Sequence, residues 1–92
     1  NVQYAMSIIF DLLSQHVHTE RQTSNGRIDL LLENKDYIYI IELKIDATAD
    51  EALKQIEEVG YARPFVADPR KLFKIGVSFS TKTRRIEEWK IA

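Results

Sequence analysis

The 92-residue chain has no cysteine, which removes disulfides, thiolate zinc sites and a cysteine nucleophile together. That fits a reducing cytoplasm, the compartment expected for it. No apolar run approaches the roughly 18 residues of a membrane span, so no transmembrane helix and no membrane partner are expected. No secretory signal is visible at the start. No Gly-rich phosphate loop is present, so this segment itself should not bind ATP. Nor is there an excess of either charge. Thirteen Lys and Arg against fourteen Asp and Glu leave a net charge of −1, not the basic footprint of a typical nucleic-acid binder. No repeat, low-complexity run or internal linker divides the chain, and the two prolines, Pro64 and Pro69, mark a single irregular connector.

What is present suffices for one core. Apolar residues make up 45% of the chain, and a domain of this size buries somewhat more than about 60% of its unfolded surface. Residues 1–92 therefore read as a single domain. It opens on Asn1, with no initiator Met and already in a helical pattern, so it reads as a piece of a longer protein. Val2, Ala5, Met6, Ile9, Phe10, Leu12 and Leu13 recur at helical spacing and predict a helix over 2–15. A short strand over 17–21 and a turn at Ser24-Asn25-Gly26 follow. Thr48-Ala49-Asp50-Glu51 has the form of a capping box, Ala52, Leu53, Ile56 and Val59 give the next helix its apolar face, and Gly60 is its stop. Strands are expected over 72–80 and 86–91. The order is α-β-β-β-α-β-β, and a strand returning through a crossover helix implies a mixed sheet.

The chemistry lies in Gly26-Arg27-Ile28-Asp29-Leu30 and Ile41-Glu42-Leu43-Lys44. Both segments otherwise read as apolar strands, where an acid is costly without a partner or a metal. A hairpin with the two-residue loop Lys35-Asp36 places Asn34 against Tyr37. Continued along the strands, that register sets Asp29 opposite Glu42 and Arg27 opposite Lys44. Ile28 then faces Leu43, Leu30 faces Ile41 and Leu32 faces Tyr39 on a wholly apolar second face. Directly opposed Cβ atoms lie about 4.5–5.5 Å apart, close enough for two carboxylates to share one hard cation. Period-two alternation puts Lys44 on the same face. The whole inference hangs on the turn, because a one-residue slip would destroy the pairing. The chemistry suggested is metal-assisted phosphodiester hydrolysis, with Asp29 and Glu42 as ligands of a divalent cation, chiefly Mg²⁺, with Mn²⁺ as a substitute. Lys44 would orient water or offset developing negative charge. A salt bridge from Lys44 to either acid is the non-catalytic alternative.

At these residues the chain resembles the PD-(D/E)xK nuclease superfamily, and within it the domains found at the C-terminus of bacterial proteins with an AAA-ATPase-like N-terminal region. The resemblance runs from Glu20 to Thr23 through Gly26-Arg27-Ile28-Asp29 and Tyr37 to Lys44. It continues through Ala52-Leu53-Lys54-Gln55-Ile56, Gly60-Tyr61-Ala62 and Lys74 to Ser80. Ile28 stands where the motif's proline would precede the first acid. The resemblance implies an α/β (α+β) restriction-endonuclease-like α-β-β-β-α-β core with a central mixed sheet flanked by helices. It also implies a deoxyribonuclease acting on DNA and an ATPase-like domain elsewhere in the parent chain. It adds the Leu43 carbonyl as a metal ligand, Glu20 as an auxiliary acid and Gln55 as a catalytic amide. Glu20 reads equally as an exposed strand acid, and Gln55 as a helix-surface amide. Tyr61 is expected chiefly to pack its ring on the sheet, with its hydroxyl able to reach the site.

Other patterns are weaker. His16 and His18 share a strand face without a third ligand motif, and Asp36, Asp46 and Asp50 do not form an EF-hand. Ser78 and Ser80 lack a hydrolase elbow. The clusters at Arg63, Arg70-Lys71, Lys74 and Lys82-Thr83-Arg84-Arg85 could grip DNA or simply be solvated surface. A catalytically silent interaction or regulatory module attached to the ATPase-like domain is the competing reading of the whole chain. Homodimerisation through the first helix or the last strand is a further expectation.

Overall fold

The computed structural model describes residues 27–92, together with Ser7 and Asp11. The remainder of the helix expected over 2–15, the strand over 17–21, the turn at 24–26, Glu20 and both histidines lie outside the described residues.

Strands β1 (Arg27–Glu33) and β2 (Tyr37–Ile45) form the expected hairpin. Its loop is built by Asn34, whose Oδ1 accepts from the Asp36 and Tyr37 N–H groups at 2.8 and 2.7 Å. This is an Asx-type turn, the local bond that makes Asn a turn former. The turn sets the antiparallel register, with Asp29 facing Glu42, Arg27 facing Lys44 and Leu30 facing Ile41.

Helix α1 (Ala49–Val59) follows. Thr48 caps it through the Glu51 N–H at 3.0 Å, and Glu51 reaches back to the Thr48 N–H at 3.2 Å, the reciprocal pattern of a capping box. Gly60 ends it at φ 79°, donating to the Ile56 carbonyl at 3.0 Å, in the left-handed region that a side chain would oppose. One 3₁₀ turn (Arg63–Phe65) occupies the proline-marked connector.

The chain returns as β3 (Lys71–Ser80), parallel to β2, and closes with β4 (Arg85–Ile91), antiparallel to β3. The sheet is mixed, in the order β1-β2-β3-β4. This is an α+β architecture consistent with the restriction-endonuclease-like fold. Both ends of the hairpin are fastened to later chain. Arg70 reaches Glu33 at 2.9 Å and the Asn34 carbonyl at 3.0 Å, while Asp46 accepts from the Thr81 N–H and hydroxyl at 2.9 and 2.6 Å.

Alternation sorts the side chains into two layers. One face gathers Tyr39, Ile41, Leu43, Ile75, Val77 and Phe79, with Leu30, Leu32 and Phe73 packed against them. The opposite face carries Ile38 and Ile40 under Ile56 and Leu53 of α1, with Tyr61 and Phe65 beside them. Burying a side chain such as Ile56, which has no exposure, contributes roughly 1.5–3 kcal/mol. Gly76 lets the helix approach. A Cβ there would collide with the Ala49 carbonyl oxygen and come within 2.9 Å of Leu53 Cγ. A glycine inside a strand often marks such a close approach.

Candidate active site

The face that α1 covers also bears the motif carboxylates. β2 lies between β1 and β3, so Glu42 is flanked by Asp29 on one side and Gly76 on the other. Its exposure is 0%, whereas Asp29 is exposed and Lys44 is half-buried. Taking a carboxylate out of water costs several kcal/mol, and an apolar side chain of similar volume is often more stabilising than even a paired buried charge. Stability alone therefore gives no reason for an acid at position 42.

Tyr61 supplies the contact that holds the outer acid. It follows directly on the Gly60 cap, and its hydroxyl donates to Asp29 Oδ2 at 2.7 Å. The ring thus packs against the core layer as expected, and the hydroxyl reaches the motif acid as well. The signal in the sequence was its position beside a helix-stopping glycine, which fixes the direction in which the chain leaves α1. Beside this bond is a cavity of about 210 Å³ lined by Asp29, Leu30, Leu31, Ile40, Ile41, Tyr61 and Phe65. It is an apolar hollow with a carboxylate and a phenol at its rim.

The shared face thus holds Asp29, Glu42 and Lys44, with Ser78 opposite Lys44 on β3. Ser78 is occupied structurally, its hydroxyl donating to the Ala47 carbonyl. Gln55 is half-buried on α1, and the described contacts do not join it to the three charged residues. Two residues of the basic clusters are engaged in ion pairs. Arg70 binds Asp68 at 2.7 Å and Glu33, and Lys74 binds Glu57 at 2.6 Å. The hydrogen bond and charge of Arg70 hold the Asp68 carboxyl down at about 2.

The donor set suits a hard divalent cation. Two carboxylates face one another across adjacent strands, and Mg²⁺ takes oxygen ligands, often one or two carboxylates, while retaining waters. The residues fit such an ion. Among the described residues no third His, Cys, Asp or Glu joins them.

The same chain matches the PD-(D/E)XK nuclease superfamily over residues 1–89. The chain belongs to that superfamily. Its E-x-K segment is Glu42-Leu43-Lys44, and the acid placed before it is Asp29. A curated relative, the "Uncharacterized protein in vnfD 5'region" of Azotobacter chroococcum mcd 1, is 33% identical over 79 residues, covering 84% of this chain. The chain spans about 15% of that relative's length. No solved structure matches the chain. The fold brings Asp29, Glu42 and Lys44 to one face of the sheet.

Proposed function

We propose that this chain is a divalent-metal-dependent nuclease that hydrolyses DNA phosphodiester bonds. The observation that carries the reading is the fully buried Glu42 facing Asp29, with Lys44 on the same face. Asp29 and Glu42 would hold the cation, with the Leu43 carbonyl and Glu20 as the further ligands that family likeness suggests. Bound there, Mg²⁺ or Mn²⁺ supplies positive charge that offsets the scissile phosphate and acidifies water. The ammonium of Lys44 orients the attacking water and counters negative charge as it develops on the phosphate. Gln55 offers an amide to the water or the phosphate. Tyr61 is a positioning residue, fixing the Asp29 carboxylate through its hydroxyl. The domain acts as part of a larger cytoplasmic protein with an ATPase-like N-terminal region.

The test is calorimetric titration of Mg²⁺ and Mn²⁺ into the chain beside a D29A/E42A control, followed by plasmid and single-stranded DNA in the same samples. Metal binding and cleavage that both vanish in the control are expected. Absence of binding at millimolar metal would sink the catalytic reading. Binding without cleavage would favour an interaction or regulatory module serving the ATPase-like region. The small share of the relative that this domain spans is the observation in favour of that second reading.

A further inference from the structure

Residues 69–86 carry six Lys and Arg and no Asp or Glu, a basic stretch within a chain of net charge −1. Arg70 and Lys74 are held in ion pairs, and the Lys71 ammonium lies 5.4 Å from the centre of the Phe73 ring. The other three cations, Lys82, Arg84 and Arg85, gather where β3 turns into β4. All three are exposed, and none of the ion pairs among the described residues takes them in.

The turn over 81–84 is held by several hydrogen bonds. Ser80 Oγ accepts from the Lys82 and Thr83 N–H groups at 3.1 and 3.2 Å, and the Arg84 N–H donates to the Ser80 carbonyl at 2.7 Å. Asp46, the residue after β2, takes both bonds from Thr81 and donates its own N–H to the Phe79 carbonyl at 2.8 Å. This acid ties the turn to the strand that bears Glu42 and Lys44, and forms no ion pair with its cations.

Two local irregularities set the cations in place. Arg84 sits at φ 60°, a left-handed conformation that Gly adopts more readily, so stability gives no reason for an arginine there. A bulge also shifts the register after Ser78. Ile86 consequently pairs with Phe79 and joins the core, while Arg85 pairs with Ser80 on the face that Ser78 shares with Lys44. Bulges often re-aim a side chain beside an active site. Thr81 stands five positions beyond Gly76, the partner of Glu42, which is about 17 Å along a strand. Duplex DNA rises about 3.4 Å per base pair, so that distance spans about five phosphates of one strand.

We propose, resting on the nuclease reading, that the β3–β4 turn grips the DNA backbone. Lys82, Arg84 and Arg85 neutralise phosphates about five nucleotides from the one held at Asp29 and Glu42.

Anisotropy of a labelled duplex, with EDTA present to prevent cleavage, reads the grip apart from the chemistry. K82Q/R85Q should weaken binding about tenfold or more at about 0.1 M salt, and flatten the slope of log K against log salt by about 2. K35Q/K71Q removes the same charge at the opposite end of the sheet and should leave both quantities near their original values. R84G removes a charge and relieves the left-handed strain, so binding should weaken while Tm holds or rises. Hydrolysis of bis(p-nitrophenyl) phosphate with Mn²⁺, a substrate too small to reach the turn, should be unchanged in K82Q/R85Q. Duplex binding that is absent from the unaltered chain, or indifferent to K82Q/R85Q, would overturn the proposal even if the small diester is hydrolysed. Duplex binding lost in K82Q/R85Q would uphold the grip even if no diester were hydrolysed, an outcome that counts against the nuclease reading alone.

Discussion

Replacing Tyr61 by Phe removes one oxygen atom and separates two roles of this residue. The ring remains to line the cavity and pack beside Ile40 and Phe65, while the 2.7 Å bond to Asp29 Oδ2 is lost. A hydrogen bond to a charged group contributes about 1.5–3 kcal/mol when well buried. Asp29 is exposed, so water replaces much of the lost bond, and a cost of about 1 kcal/mol is the better figure. For a domain of this size that lowers Tm by about 4–8 °C. The effect on the site should be larger than the effect on the fold. Groups that hold a ligating side chain in place typically carry about 10–100-fold in metal affinity or activity. The Y61F variant should therefore bind Mn²⁺ at least tenfold more weakly by calorimetry at a temperature where circular dichroism shows it folded. A Tm that falls as expected while Mn²⁺ affinity stays within about twofold would refute the positioning role, for then the hydroxyl only braces the fold.

Three further outcomes can be measured. Gly76→Ala should destabilise by about 1–3 kcal/mol, the usual cost of overpacking, because the new methyl meets the Ala49 carbonyl and Leu53; urea denaturation reads it directly. Thr48→Ala should cost about 1 kcal/mol through the lost helix cap, visible as a lower denaturation midpoint with unchanged slope. The third concerns acid. Asp68, held at about 2 by Arg70, and Asp46, lowered by its bonds from Thr81, are both easier to deprotonate in the fold than in the unfolded chain. Their contribution is therefore present above about pH 4 and fades as pH falls toward 2. Denaturation midpoints should decline over that window, less steeply in D68N.

Most of the frame was legible because its determinants are local. Two apolar runs around Asn34-Lys35-Asp36 fixed the hairpin and, through it, the opposition of Asp29 and Glu42. Thr48, Glu51 and Gly60 bracketed α1 because capping uses residues within one turn of the helix end. The parallel return of β3 followed from the helix between it and β2. Tertiary contacts were harder to read. The bond from Tyr61 to Asp29 depends on the angle at which the chain leaves Gly60, and the need for glycine at 76 depends on how closely a helix approaches the sheet. Arg70 looked available to a phosphate in the sequence, yet it is engaged with Glu33 and Asp68. Such pairings bring together residues from separate elements, which periodicity does not reveal.

The spacing of the site along the chain also orders its assembly in time. Asp29 and Glu42 are joined by a two-residue hairpin loop, whereas the Tyr61 hydroxyl reaches across 32 positions to Asp29. The β2–β3 pairing must likewise wait for the whole crossover to close. Closing longer loops costs more entropy, so contacts near in sequence form first. The two acids thus meet on a bare hairpin, in water, before α1 covers Glu42 and Tyr61 reaches Asp29. Their mutual repulsion falls on the early part of the folding reaction. Salt and counterions should consequently change the rate of folding more than the rate of unfolding, leaving a kinetic trace of the site in an experiment with no substrate.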